Sequence, residues 1–203
     1  MKPASPLIGL LGGIGAGKSA AAACFVRLGC GLIDADRLAH EILQKPEIIQ
    51  AIVDRFGSGI LSDSGLVDRK KLASVAFSSQ TALDVLTGII HPPVLTRCEE
   101  MLEQFQRDPT LTGIVLDMPL LVEVGWDKRC DALVFIDCRR PLRSRRIGRQ
   151  KQIDIEQQKK RENFQISLDK KKKMANFIID NNSDESELAK QVRKVFSAIR
   201  GRR

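Results

Sequence analysis

The sequence predicts an α/β fold, a five-stranded parallel sheet flanked by helices, with a helical insertion. Short apolar runs recur along the chain, most of them end at an aspartate, and stretches with helical spacing separate them. Hydrophobic residues make up 43% and charged residues 29% of the 203 residues, as in ordinary globular proteins and unlike disordered or collagen-like chains.

Five short apolar runs are the predicted strands. An apolar run without polar alternation is typical of a parallel strand buried on both faces. Ligands are expected beyond the carboxyl ends of such strands, where several aspartates of this chain stand. The predicted strands are Leu7–Leu11, Gly31–Ile33, Gly113–Asp117, Ala132–Asp137 and Phe177–Ile179.

Segments with apolar residues at helical spacing occupy most of the remaining chain. Ala20–Leu28 predicts a helix, and Leu188–Ile199 predicts an amphipathic closing helix. Residues from about 37 to 108 predict a largely helical insertion, in which the last helix begins after Pro92-Pro93. We therefore expect one domain made of a core (about 1–36, 109–138 and 174–203), this insertion, and a basic segment (about 139–173) of two helices.

The positive charge of the chain is concentrated in the basic segment. Between Arg139 and Lys173 there are 14 Lys or Arg and 4 Asp or Glu residues, whereas the whole chain has a net charge of +8. Such a segment indicates a nucleic-acid backbone, the phosphates of a small molecule, or a solvated helical face. The chain has no Tyr and one Trp, unlike proteins that stack single-stranded bases on aromatic rings.

The cysteines predict no disulfide framework, because their number is odd and no two form a C-x-x-C pair. We expect most of them to be buried and inert. The chain shows neither a signal peptide nor a membrane-spanning run, so we expect a cytoplasmic protein. The residues are Cys24, Cys30, Cys98, Cys130 and Cys138.

A glycine-rich loop follows the first predicted strand. Residues Gly12 to Ser19 fit G-x-x-x-x-G-K-[ST] between a strand and a helix, the context in which this motif binds nucleotide phosphates. Lys18 would contact the β- and γ-phosphates, and the Ser19 hydroxyl would ligate Mg²⁺. The predicted nucleotide-binding residues of the loop are Gly13, Ile14, Gly15, Ala16, Gly17, Lys18 and Ser19.

The phosphate loop does not identify the molecule that accepts the phosphoryl group. We find no N-K-x-D element of the kind that reads guanine, and ATPase motors usually need a longer chain, so a small-molecule kinase is the economical interpretation. Such an enzyme needs a carboxylate that orients the attacking hydroxyl and cations that neutralise the transferring phosphoryl group. By spacing alone, Asp34 and Asp36 are equally suited to orienting the attacking hydroxyl and to capping the following helix.

Further motifs make the sequence similar to one family. With the phosphate loop, the segments Ile33–His40 (IDADRLAH) and Pro119–Glu123 (PLLVE) resemble dephospho-CoA kinase. The resemblance extends from about residue 7 to 199. Additional matches are Leu28-Gly29, Phe56-Gly57, Ile60-Leu61, Val67–Arg69, His91-Pro92, Arg145 with Arg149, and Ile179–Asn181.

The resemblance implies a P-loop kinase fold with a helical acceptor-binding insertion and a basic helical lid. It implies ATP-dependent phosphorylation of the ribose 3′-hydroxyl of dephospho-CoA, the last step of coenzyme A synthesis, with Mg²⁺. The alternatives are another nucleotide or nucleoside kinase, and an RNA-binding module that uses ATP as a switch. We expect no specific nucleic acid, no membrane, and a monomer or weak homo-oligomer.

The resemblance also implies roles for single residues in catalysis and nucleotide binding. Asp36 matches the catalytic base, and Asp117 resembles a carboxylate that holds a magnesium-bound water. Asn181 and Asn182 fall where the family's chain approaches adenine, although Asp-Asn-Asn is also ordinary turn chemistry. The predicted catalytic residues are Asp36, Lys18, Arg145 and Arg149, the two arginines belonging to the lid over ATP.

The predicted acceptor residues come from the same resemblance. They are Asp36, His40, Pro119, Leu120, Leu121 and Glu123. His91 is predicted to pack at a helix start. The neighbouring cations are predicted to be mostly solvated: Arg139, Arg140, Arg143, Arg146 and the Lys170–Lys173 run.

Overall fold

The computed structural model describes residues 5–149 and 165–201, with the side chain of Arg149 outside that description. It contains a five-stranded parallel sheet with the order β2-β3-β1-β4-β5. The predicted α/β fold is therefore confirmed. The strands are β1 Leu7–Leu11, β2 Cys30–Asp34, β3 Gly113–Asp117, β4 Ala132–Asp137 and β5 Phe177–Asp180.

Helices connect the strands. Within the described residues, none of them is both long and apolar enough to span a membrane. Ser58–Ile60 and Trp126–Arg129 form 3₁₀ turns. The helices are α1 Lys18–Arg27, α2 Ala35–Ile42, α3 Pro46–Phe56, α4 Arg69–Ala76, α5 Gln80–Arg107, α6 Arg140–Arg149, α7 Leu168–Met174 and α8 Glu185–Gly201.

The chain divides into two compact units, of which the first comprises residues 1–34 and 102–203. Its core forms where α1 and α8 cover one face of the sheet, and every residue of β1 and β3 is buried. The rings of Phe25 and Phe196 meet edge to face at 5.9 Å between centroids. Burial of both faces explains why these strands are continuous apolar runs.

Side-chain hydrogen bonds hold the end of the edge strand β5. The Gln191 side chain accepts from the Asp180 N–H at 2.9 Å and donates to the Asp180 carbonyl at 2.8 Å, as a neighbouring strand would. The Asn181 N–H then donates to the Asp137 carbonyl at 2.8 Å. These bonds fix the point at which the chain leaves the sheet.

The second unit, Ala35–Met101, has its own helical core. Leu61 and Val67 form an isolated antiparallel bridge beside it. The predicted insertion of about 37–108 overlaps this unit and continues beyond it along α5. The buried core residues of the unit are Leu43, Ile52, Ile60, Val67 and Leu72.

Helix α5 contradicts the prediction that a helix begins after Pro92-Pro93. The helix starts at Gln80 and continues through both prolines to Arg107, so His91 lies inside it rather than at a start. Each proline removes one backbone donor from the helix. Burial lowers the pKa of His91, which favours a neutral imidazole.

The five cysteines are free thiols, and all but Cys130 are buried, as predicted for most of them. Burial raises the pKa of Cys30 and of Cys98 to about 11, and that of Cys130 to about 12. In the folded protein at mildly alkaline pH, these three thiols are expected to react with iodoacetamide at least about 100-fold more slowly than in urea. Rates read by peptide mass spectrometry test this, and equal rates in both states would contradict it.

Candidate active site

The phosphate loop joins β1 to α1. Gly17 caps α1 with φ 93° and ψ 30°, and Gly15 has φ 73°, both in the left-handed region. Residues with a Cβ adopt that region only at a cost. The loop closes on itself through the Ala16 N–H, which donates to the Gly13 carbonyl at 3.1 Å.

Other parts of the first unit pack against these glycines. A Cβ on Gly13 would lie 2.2 Å from an Arg143 Nη atom, and one on Gly15 would lie 2.8 Å from Ile147 Cδ1. Helix α6 therefore rests directly on the loop. A Cβ on Gly17 would lie 2.2 Å from the Asn181 Nδ2 atom. The glycines allow the close approach of these elements as well as the turn itself.

Two donors converge on one carbonyl of the loop. The Ala16 carbonyl accepts from Asn181 Nδ2 at 2.7 Å and from an Arg146 Nη atom at 3.3 Å. The other Nη atom of Arg146 donates to the Asn181 carbonyl at 3.2 Å. Asn181 is buried, so its amide is a fixed part of the site. The loop, the β5 end and α6 are thus joined in one network.

The remaining loop residues of the predicted site lie at the start of α1. The Lys18 ammonium group donates back to the Gly12 carbonyl at 3.3 Å, across the loop. The Ser19 hydroxyl donates to the Asp117 carboxylate at 3.4 Å, and Asp117 is buried at the end of β3. Asp34, at the end of β2, stands opposite Asp117 in the strand register.

Helix α6 places two arginines against the phosphate loop that were predicted to be solvated. Arg143 and Arg146 are partly buried against the loop, so the prediction that they are solvated neighbours is wrong. Arg145 is exposed, and the Arg149 side chain lies outside the described residues. The buried Ile147 shares a helix face with Arg143, a sequence signal that identifies the inward side of α6.

A pocket of about 180 Å³ lies beside Gly13. A charged pair borders it: the Lys172 ammonium lies 2.6 Å from the Asp137 carboxylate, at the end of β4. The hydrogen bond to Asp137 raises the pKa of Lys172. Arg143, Leu168 and further residues complete the lining: Phe135, Ile136, Cys138 and Asp169.

The loop after β3 carries four of the predicted acceptor residues. Pro119 and Leu120 are partly exposed. Leu121 is fully buried and packs against Gly9 of β1, so it belongs to the core instead of lining an open acceptor pocket. Glu123 accepts from the Ile166 N–H at 2.8 Å and lies 3.0 Å from the Lys171 ammonium.

The lysine run of α7 also departs from the prediction of a solvated face. Lys170 and Lys173 are exposed, but Lys171 is almost completely buried and Lys172 pairs with Asp137. Four consecutive lysines cover all sides of a helix, so part of such a run must face inward when the helix packs on a sheet. The run itself gives no sign of which lysine is inside.

Three predicted site residues remain to be placed: Asp36, His40 and Asn182. Asp36 and His40 are exposed on α2, in the second unit. Asn182 accepts from the Arg139 N–H at 2.8 Å, and its own N–H donates to Asp180 at 2.9 Å. The second bond is the turn interaction that Asp-Asn-Asn favours.

Comparison with known proteins places this geometry in a family. The model of the family described as dephospho-CoA kinase matches residues 6–187. A dephospho-CoA kinase of Fusobacterium nucleatum subsp. nucleatum is 35% identical over 193 residues, covering 95% of this chain and 98% of the relative. The solved Thermus thermophilus protein TT1252 is similar with a TM-score of 0.80 and 27% identity, over 96% of this chain and 97% of that one.

A further solved structure has a similar fold. The dephospho-CoA kinase from Campylobacter jejuni has a TM-score of 0.64 and 24% identity, over 96% of this chain and 97% of that one. The parallel sheet and its phosphate loop define a P-loop nucleotide-binding protein. The chain belongs to the dephospho-CoA kinase family. It uses ATP to phosphorylate the ribose 3′-hydroxyl of dephospho-CoA, the final step of coenzyme A synthesis.

Proposed function

We propose that the phosphate loop and α6 together hold ATP during phosphoryl transfer to dephospho-CoA. The observation that carries this proposal is the seating of Arg143 and Arg146 on the loop residues Gly13 and Ala16. Guanidinium groups that reach the loop backbone are positioned to bind phosphate oxygens there, where the N-terminus of α1 also favours negative charge. Lys18 then binds the β- and γ-phosphates.

We also propose that Ser19 and Asp117 hold Mg²⁺. Their oxygens are 3.4 Å apart, close to the ~3 Å that separates neighbouring ligands of an octahedral Mg²⁺ ion. Both are oxygen donors of the kind this ion prefers. No cluster of three His, Cys, Asp or Glu side chains that could hold a metal occurs in residues 5–149 or 165–201, so phosphate and water would complete the coordination. The ion would neutralise charge on the transferring phosphoryl group.

For the acceptor, we propose that Asp36 orients the ribose 3′-hydroxyl and accepts its proton late in the transfer. A ribose hydroxyl is too weak an acid to ionise beforehand, so the carboxylate acts mainly by alignment. His40, Pro119, Leu120 and Glu123 are the other proposed acceptor residues. We further propose a cytoplasmic monomer or weak homo-oligomer.

The arginines of α6 provide the test of this proposal. Replacing Arg146 by Met is expected to raise KM for ATP about tenfold, because one charge-assisted contact is lost. KM for dephospho-CoA is expected to change little. ADP release with dephospho-CoA as acceptor measures both constants.

Arg145→Met is the matched variant on the same helix. The resemblance predicts a loss of activity for Arg145 and Arg149, whereas the seating of α6 predicts the larger rise of KM for Arg146. An unchanged KM for ATP in Arg146→Met, together with a large rise in Arg145→Met, would overturn the proposed role of Arg146.

A further inference from the structure

Lys171 is a buried lysine in an otherwise exposed run of lysines. Its relative exposure is 1%, and it is among the largest fully buried side chains in the described part of the chain. Lysine is almost never buried to this degree unless its charge is paired, because removing an ammonium group from water is costly. The position therefore needs a specific set of acceptors.

Three acceptors surround the Lys171 ammonium group. It donates to the Pro119 carbonyl at 3.1 Å and to the Gln165 side-chain oxygen at 3.2 Å, and it lies 3.0 Å from Glu123 Oε1. An ammonium group has three N–H donors, so these contacts use all of them. Glu123 Oε1 also accepts from the Ile166 N–H at 2.8 Å, which gives this oxygen two donors.

These contacts join two segments that are distant in sequence. Pro119 and Glu123 lie in the loop between the end of β3 at Asp117 and the 3₁₀ turn that begins at Trp126. Gln165 and Ile166 lie just before α7, which begins at Leu168. On the adjacent position of α7, Lys172 pairs with Asp137 at the end of β4. Helix α7 is therefore anchored at the carboxyl ends of both β3 and β4.

We propose that Lys171 is a positioning residue for phosphoryl transfer, which sets the path of the Pro119–Glu123 loop and fixes it to Gln165 and Ile166, just before α7. The proposal rests on the acceptor role proposed above for Pro119 and Leu120. Lys171 itself has no surface with which to contact a substrate. It acts through the loop, because its bond to the Pro119 carbonyl holds the backbone on which Leu120 stands.

The test replaces Lys171 by Met, which keeps most of the unbranched side chain and removes the charge and all three donors. KM for dephospho-CoA is expected to rise about tenfold, because a small shift of a positioning element is enough for such losses. KM for ATP is expected to change by less than about twofold, because no contact of Lys171 reaches the phosphate loop. Initial rates of ADP release over both substrates measure the two constants, and thermal unfolding gives the stability of each variant.

Three further variants separate the effect of Lys171 on the position of the loop from its effect on the stability of the protein. Lys170→Met removes an exposed charge from the same helix and is expected to leave both constants unchanged. Phe196→Leu destabilises the core far from the loop, and it shows what loss of stability alone does to the constants. Lys171→Arg keeps the charge, but a planar fork cannot match three acceptors around one nitrogen, so a several-fold rise of KM for dephospho-CoA is expected. Lys171→Arg carries the test if Lys171→Met does not fold.

A Leu120 variant distinguishes a failure of the Lys171 proposal from a failure of the proposal that the Pro119–Glu123 loop binds the acceptor. Leu120→Ala raises KM for dephospho-CoA if the loop binds the acceptor, and an unchanged value would refute that role. If Leu120→Ala raises this KM and the folded Lys171 variants do not, the positioning role of Lys171 is refuted. Equal increases of both KM values in the Lys171 variants, as in Phe196→Leu, would refute it as well.

Discussion

Replacing Asp36 by Asn is expected to lower kcat with dephospho-CoA by about two to four orders of magnitude, the usual contribution of a general base. Asn keeps the size of the side chain but is a poorer acceptor of the hydroxyl proton and carries no charge. The affinity for ATP is expected to persist, because the phosphate loop, Lys18 and α6 belong to the other unit of the chain. ADP release and calorimetric binding of ATP measure the two effects.

Asp34→Asn is the matched control for this prediction. The two carboxylates are separated by one alanine, but Asp34 is the last residue of β2 and Asp36 lies on α2. If Asp36 is the catalytic base, kcat falls further in Asp36→Asn than in Asp34→Asn. This loss of kcat appears with dephospho-CoA as the acceptor and not with water. Loss of kcat only in Asp34→Asn would transfer the role to Asp34 and contradict the prediction. Equal small effects of both changes would indicate that neither carboxylate accepts the proton.

The sheet was predictable because its strands are buried on both faces. In a parallel sheet covered by helices, strands such as β1 and β3 need apolar residues at every position, and this requirement makes them visible as runs. The phosphate loop was predictable for a related reason. Its backbone leaves few residue types for positions such as Gly15 and Gly17, whose positive φ values other residues avoid.

The inward face of α6 was not predictable by spacing between cations. Arg143 is partly buried and Arg145 is exposed, and the spacing of the cations alone does not say which of the two faces the loop. The packing decides it, because Ile147 fills the space beside Gly15 and brings Arg143 over Gly13. The apolar residue of the helix was a better guide to its orientation than the charges.

The roles of Lys171 and Leu121 depend on contacts between distant parts of the chain. Lys171 lies 48 positions beyond its partner Glu123, and the run around it is uniformly basic. Leu121 lies in a loop motif that the resemblance assigns to the acceptor, yet it fills the space left by Gly9. Local sequence defines the motif, whereas only tertiary packing shows which of its side chains turn into the core.

The second large effect is expected for Gly17→Ala, which changes one hydrogen atom to a methyl group at the cap of α1. The φ of 93° costs a residue with a Cβ about 1–2 kcal/mol. The new Cβ would also lie 2.2 Å from Asn181 Nδ2 and displace it from the Ala16 carbonyl. Loss of that buried hydrogen bond costs about 1–3 kcal/mol more. We expect destabilisation of about 2–5 kcal/mol in total.

ATP binding is expected to fall by about 100-fold or more in Gly17→Ala, because the backbone N–H groups of the loop lose the geometry that faces the phosphates. Gly65→Ala is the matched control. Gly65 also has a positive φ, 76°, but a Cβ there would meet no atom within 4 Å. This control therefore carries the backbone strain without the collision, and it is expected to lower stability modestly and leave ATP binding intact. If both variants lose equal stability and Gly17→Ala still binds ATP normally, the contact between Asn181 and the loop has no part in shaping the nucleotide site.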